Sequence, residues 1–243
     1  MLDSNAVNRD FYDLLWSESQ LKRPDRFNTW PLISGLLPLA PMRLEIGPGL
    51  RPRLPIPGTR FVDISPPVIE QLSKRGGIAV SAGIGNLPFN DGKFELVCAF
   101  DVIEHVEDDR QVFGEVSRVL KQEGVFIFSV PIHARLWTGF DALVGHVRRY
   151  DPADLLVLLA AHDLVLEKSA AYGMQPASPR LLDFGLWWLK HRRREAMWLY
   201  NKIFMPLGMF FQKKLKFAEG LINVTGVDEI VLVCRKRKVT GSL

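Results

Sequence analysis

From Arg43 to Tyr172 short apolar runs alternate with amphipathic ones, and this alternation restricts the chain more than any other feature. "RLEIG", "TRFVDIS", "GIAVSA", "KFELVCAFD", "VFIFSVP" and "LVLEKSAAYG" read as strands. "PPVIEQLSKRG" and "DDRQVFGEVSRVLKQEG" lie between them with helical periodicity, and "ADLLVLLAAH" follows an Asp-Pro start. Prolines suit a helix's first turn and glycine its stop. Val112, Phe113, Val116, Val119 and Leu120 form one apolar stripe, so a helix is expected up to Gly124. A late run, "DEIVLVCRKRK", reads as a last strand. Strands that alternate with helices pack as a mostly parallel sheet covered on both faces. Ligands of such sheets bind beyond the carboxyl ends of the strands, where strand order reverses.

The first strand leads into "LEIGPGLRPRLPIPG", Leu44 to Gly58. Its glycines resemble a dinucleotide fingerprint, but Pro52 stands where the third glycine belongs. No Gly-Lys-Ser/Thr follows, which excludes a P-loop. Pro52, Pro55 and Pro57 make the helix after the turn short or absent, and with it the usual pyrophosphate site. A ligand without phosphates needs less. Gly47 and Gly49 allow close backbone approach, Glu45 can support the turn or meet an ammonium through water, and Asp63 can accept both hydroxyls of a ribose.

In order, "LEIGPG", "FVDIS", "GNLPFNDGKFELVCAFDVIEHVEDD", "EVSRVLKQEGVFIFSVP" and "GHVRRYDPADLLVLLAAHDLVLEKS" resemble the motifs of a class I S-adenosylmethionine (SAM)-dependent methyltransferase of the small-molecule group called type 11. The resemblance covers residues 42–172 and the last strand. It implies a Rossmann-like α/β fold, a seven-stranded mostly parallel sheet with helices on both faces plus a helical cap. SAM is the implied cofactor and S-adenosylhomocysteine the product. By the same resemblance, Glu45, Gly47 and Gly49 lie under the methionine part of the cofactor, Asp63 holds the ribose, and Ile64 packs on adenine. Gly83 and Asn86 lie at the adenine edge, and Leu87 opens the motif that follows the adenine-binding loop. Phe100 and Asp101 end the fourth strand near the cofactor's amino group, and His105 lines the methyl-transfer side.

Two departures from the family pattern stand out. Gly83 occupies the place of an aspartate that accepts from the adenine amino group, and Arg51 with its prolines replaces a small residue and a helix. For the acceptor side, His105, His146 and Tyr150 are the candidate catalytic residues, with His133 a further base candidate. Arg148 and Arg149 either meet an anionic acceptor or tie their loop to the body. A small-molecule acceptor is expected, with a lipophilic one left open by the aromatics of residues 179–217. Two alternatives remain: an RNA-modifying methyltransferase and a degenerate SAM-binding interaction module.

Four segments are expected: N-terminal helical segments over 1–41, the SAM-binding core over 42–178, a helical cap over 179–222, and the last core strand with a basic tail over 223–243. The formal charge of +4 arises from local clusters such as "KHRRR" and "RKRK". No RNA-binding appendage accompanies them, which argues against nucleic acid, while contact with a membrane surface stays open. The five histidines show no zinc spacing, and no metal is expected. Cys98 and Cys234 sit in apolar runs and are read as separate buried thiols. The chain opens without a basic region and apolar core, so a cytoplasmic location is the expectation.

Overall fold

The computed structural model describes residues 16, 19–173 and 179–237. Strands β1 (Arg43–Ile46), β2 (Thr59–Asp63), β3 (Ile78–Ser81), β4 (Phe94–Phe100), β5 (Leu120–Pro131), β6 (Leu164–Tyr172), β7 (Ala218–Glu219) and β8 (Glu229–Lys236) form one sheet in the order β3-β2-β1-β4-β5-β8-β6-β7. The pairs among β1 to β5 are parallel. β8 runs antiparallel between β5 and β6. The strand beyond the seven expected is β7, two residues on the edge beside Lys168 and Ser169, too short to leave a periodic signal.

Helices α1 (Trp30–Leu36), α2 (Pro66–Lys74), α3 (Asp109–Val119), α4 (Gly139–Val144) and α5 (Pro152–Ala161) accompany the sheet. α2 and α5 open on the prolines that suit a first turn. Asp108 caps α3 by accepting from the Gln111 N–H at 2.9 Å. This helix ends at Val119, earlier than its apolar stripe suggested. Leu120 is already in β5, paired with Phe94, and the β4–β5 register shifts between Phe94 and Leu96.

Apolar side chains pack on both faces of the sheet. Leu44, Ile46, Val97, Phe113, Phe126 and Phe128 fill one face. Leu96, Cys98, Ile127 and Val231 fill the other with Ile33 of α1. Cys98 and Cys234 are both free and buried, separated by β5. Fully burying a side chain of the Phe or Leu type contributes about 1.5–3 kcal/mol, so these two layers dominate stability.

After β6 the chain forms α6 (Pro179–His191), α7 (Arg193–Leu199), a π-helical turn at Tyr200–Phe204 and α8 (Met205–Phe211). No described helix is long and apolar enough to cross a membrane. Of the helical segments expected before the core, residues 1–15, 17 and 18 lie outside the described ones. Trp16, a 3-10 turn at Pro24–Arg26 and α1 are seen.

Candidate active site

Strand order reverses between β1 and β4, which are neighbours although β2 and β3 come between them in the chain. The glycine turn leaves β1 at this point. Gly47 and Gly49 have φ of 61° and 52°, a conformation that side chains resist. Space excludes a side chain as well. A Cβ on Gly47 would lie 2.6 Å from Val102 Cγ2, and one on Gly49 would lie 2.2 Å from Trp16 Cζ2. The Gly49 N–H donates to Asp63 Oδ2 at 3.0 Å, and the Ser65 N–H donates to Oδ1 at 2.9 Å. Asp63 thus ties the turn to the end of β2.

No helix follows the turn, as the prolines require. Prolines have no N–H to satisfy, so the buried loop presents few donors. Glu45, 1% exposed, takes two of them. Its carboxylate accepts from the Arg53 N–H at 2.8 and 3.0 Å and from the Leu54 N–H at 2.8 Å. Burial pushes the Glu45 pKa up to about 7 despite these donors and the Arg53 charge. Arg53 stacks 3.7 Å over Phe27 and donates to the Tyr172 hydroxyl at 3.0 Å. Of the two roles open to Glu45 in the sequence, the visible one is support of the loop.

The residues suggested for the cofactor gather along one edge. Gly47 and Gly49 follow β1, Asp63 ends β2, Gly83, Asn86 and Leu87 follow β3, and Phe100 and Asp101 follow or end β4. These four strands are adjacent, so the set spans about three strand spacings of ~4.8 Å each. Ile64 is 51% exposed, and Gly83 and Asn86 are exposed beside it in sequence order along the same edge. Carboxylate, apolar surface and open backbone in that order fit a nucleoside joined to an amino acid. The Leu87 N–H donates to Glu115 Oε2 at 2.7 Å, so Leu87 contributes packing rather than a donor.

On the far side of β4 the structure brings together residues distant in sequence. Asp101 turns the chain with φ of 55°, and its N–H donates to Ser129 Oγ at 3.0 Å. A 3-10 turn at Ile103–His105 buries Glu104 and His105. The ring centroids of His105 and His146 are 4.8 Å apart, edge to face. His105 Nδ1 lies 3.1 Å from the Gly145 carbonyl oxygen. A carbonyl only accepts, so Nδ1 carries the proton of the neutral ring. Burial and the neighbouring His146 hold the His105 pKa down to about 3.

Asp141, fully buried, organises the loop around His146. Oδ2 accepts from the Thr138 N–H at 2.7 Å and its hydroxyl at 2.8 Å. Oδ1 lies 2.8 Å from His146 Nδ1 and 2.9 Å from Arg149 Nε. The pair Thr138 and Asp141 forms a capping box at the start of α4, and Gly145 ends that helix at φ 82°. Sequence reasoning passed over Asp141 and Glu104. The Thr-x-x-Asp spacing and the following glycine were the signal for Asp141, and nothing local marked Glu104.

Tyr150 sits in the core. Its hydroxyl donates to Asp109 Oδ2 at 3.2 Å, and burial raises its pKa, which makes it a poor base at neutral pH. His133 Nε2 lies 3.0 Å from the Val224 carbonyl. Arg148 pairs with Asp109, and Arg149 with Asp141 at 2.9 Å and Asp228 at 2.6 Å. Both arginines therefore tie their loop to the body.

Residues of α4, α6 and α7 pack together with Trp16. Met197 packs with Val144, Trp16, Phe140, Leu189 and Tyr200. Arg51 lies between Trp16 and Tyr200, its guanidinium 5.2 and 5.3 Å from the two ring centroids. Asn201, 6% exposed, accepts from the Ser19 hydroxyl at 2.8 Å. The outer side of the cap leaves Phe204, Phe210 and Phe211 54%, 81% and 73% exposed.

Residues 59–128 match a family model described as a methyltransferase domain. Among curated proteins, the chain is 38% identical over 69 residues to sarcosine/dimethylglycine N-methyltransferase of Halorhodospira halochloris, which is 26% of this chain and 25% of that one. The matched part thus spans about a quarter of that relative. Among solved structures, a SAM-dependent methyltransferase of Thermotoga maritima superposes with a TM-score of 0.58 at 18% identity, covering 96% of this chain and 92% of that one. The [4+2]-cyclase SpnF superposes with a TM-score of 0.53 at 16% identity, covering 81% and 74%. Likeness at this level establishes the Rossmann-like methyltransferase fold, and the cyclase shows that the fold by itself does not fix the reaction.

Proposed function

We propose that this chain, which carries a methyltransferase domain of the class I SAM-dependent type, transfers a methyl group from SAM to a small acceptor and releases S-adenosylhomocysteine. The observation that carries the reading is the bond from the Gly49 N–H to Asp63 Oδ2, which sets an acid beside a glycine turn at the switch point of the sheet. SAM, when bound, supplies a methyl group on a sulfonium that is already a strong electrophile. The tasks of the chain are alignment and exclusion of water. In this reading Asp63 accepts the ribose hydroxyls, the turn at Gly47 and Gly49 passes under the amino-acid part, and Ile64 covers the base. Asn86 or backbone near Gly83 takes the adenine edge in place of the family's aspartate.

His105 and His146 face the acceptor side in this reading. The neutral His105 ring keeps its Nε2 lone pair, and Asp141 fixes the orientation of His146. The curated relative of H. halochloris, named for small amine substrates, supports a small acceptor. A lipophilic acceptor, with the cap resting on a membrane surface, is the variant favoured by the exposed Phe204, Phe210 and Phe211. A cytoplasmic location belongs to the same proposal and is tested by cell fractionation.

The test is calorimetric titration of the full chain with S-adenosylhomocysteine, with mass spectrometry of the purified protein for retained SAM. Micromolar binding is expected, and a titration without saturable heat rejects the proposal. Binding without turnover on any small acceptor would favour the interaction-module alternative. Salt-dependent binding of RNA would favour the RNA alternative.

A further inference from the structure

We propose that Glu104, His105 and His146 bind one first-row divalent cation at the acceptor end of the crevice. The ligating atoms of the three residues all lie within 4.8 Å of one another. Around a tetrahedral zinc ion such atoms stand about 3.3 Å apart, given bonds of about 2.0–2.1 Å. Small side-chain rotations close that difference.

The orientation of both rings suits ligation. His105 directs Nδ1 at the Gly145 carbonyl and His146 directs Nδ1 at the Asp141 carboxylate. Acceptors at Nδ1 place the proton there and leave Nε2 as the basic nitrogen of each neutral ring. Metal-bound histidines carry this arrangement, a carbonyl or carboxylate behind the ring fixing tautomer and direction. His146 Nε2 already points toward Glu104 Oε1, 3.8 Å away.

The second observation is Glu104 itself. It is 1% exposed, and its Oε2 has no hydrogen-bond partner. A buried carboxylate oxygen left so costs free energy unless a proton or a cation meets it. Asp101 and Asp141 act on Glu104 electrostatically, and Glu104 acts in turn on Glu229. Arg149 bonds Asp141 and Asp228, and Arg53 bonds Tyr172. Among the described residues no lysine or arginine pairs with Glu104, and a divalent ion would supply the countercharge there. Two nitrogens and one carboxylate select zinc, cobalt, manganese or iron over calcium.

Three protein ligands leave room for an exogenous oxygen ligand. If the methyl-transfer reading holds, an acceptor hydroxyl takes that position, and the ion lowers its pKa as it does for bound water. That last step rests on the proposed function, whereas the ion site does not.

The test uses the untagged full chain stripped with a chelator. Titration with CoCl2 is expected to give one ion per chain and a visible spectrum of nitrogen-bound cobalt, displaced by ZnCl2. Azide, as an anionic probe, is expected to shift that spectrum. His146→Ala and Glu104→Gln should each weaken binding at least tenfold, while His191→Ala leaves it unchanged. Should a variant fail to fold, pulsed EPR of the Mn2+-loaded parent decides, with coupling to imidazole nitrogen expected. Absence of that coupling, or equal cobalt affinity in a folded His146→Ala, overturns the site. An azide-insensitive spectrum overturns the open position. S-adenosylhomocysteine titrated in the presence of the chelator separates the two proposals, since its binding needs no ion.

Discussion

The indole of Trp16 lies over Gly49 on the side where any other residue would project its side chain. Trp16, Arg51 and Tyr200 form a stack across that contact, so the glycine turn also supports the helices that follow β6. Gly49→Ala would meet both the indole and a φ of 52°. A destabilisation of roughly 1–2 kcal/mol is expected from the left-handed conformation alone, with more from the displaced ring. Urea denaturation of parent and variant measures it, and coincident curves would count against the stack as drawn.

Gly83 offers the opposite case. It has open space around its Cβ position and an ordinary φ, so a side chain fits. Gly83→Asp should restore the acceptor for the adenine amino group and tighten S-adenosylhomocysteine binding. One net hydrogen bond of about 0.5–1.5 kcal/mol corresponds to roughly a two- to tenfold gain. Calorimetry giving weaker binding in the variant would remove Gly83 from the adenine edge.

Asp63→Ala removes the acceptor of the Gly49 and Ser65 N–H groups together with the proposed ribose contact. A loss of more than tenfold in S-adenosylhomocysteine affinity is expected, because charged hydrogen bonds are stronger than neutral ones. Asp63→Asn keeps an acceptor for the turn and separates the two effects. If it folds like the parent and binds the ligand equally well, the ribose role is lost while the turn role stands.

Glu45 gives a pH dependence. Its folded pKa is about 7 against a reference of 4.5, so the folded state binds more protons between those values. Stability from this group is fully present below pH 4.5, declines as pH rises, and levels off above pH 7. Glu45→Gln removes the slope and also misplaces an amide group against the Arg53 and Leu54 N–H donors, which lowers stability at every pH. Urea midpoints at several pH values for both proteins provide the check, and parallel profiles would refute the assignment.

The aromatic face of the cap predicts association with lipid. Full-length protein should co-sediment with anionic vesicles, and Phe210→Ser with Phe211→Ser should reduce this at least severalfold. Equal sedimentation of parent and variant, or none at all, would leave the stripe to some other contact.

The sheet and the glycine turn were legible because their signals are local. An apolar run, a glycine with no room for a side chain, and prolines that cancel a helix are all readable within a few residues. The end of α3 was not, since Leu120 belongs to the apolar stripe of a helix and to the pairing of a strand, and its pairing with Phe94 decides. The acceptor side was least legible. His105 and His146 could be singled out, but Glu104 acquires meaning only when the Val147 N–H donates to its carbonyl at 2.8 Å and folds the loop back over it. Arg148 and Arg149 were open between two roles, and only the positions of Asp109, Asp141 and Asp228 favour the structural one.

The place of β8 bears on how the molecule is made. β6 has one long neighbour, β8, because β7 contributes only two residues at the other side. A nascent chain that has emerged as far as Tyr172 can assemble β1 to β5, yet its β6 has no long partner until Glu229–Lys236 leaves the ribosome. During that interval the cap is synthesised ahead of the strand that completes the sheet beneath it. The open edge of β5 is then the surface most exposed to misassembly, and chaperone contact during translation should concentrate there.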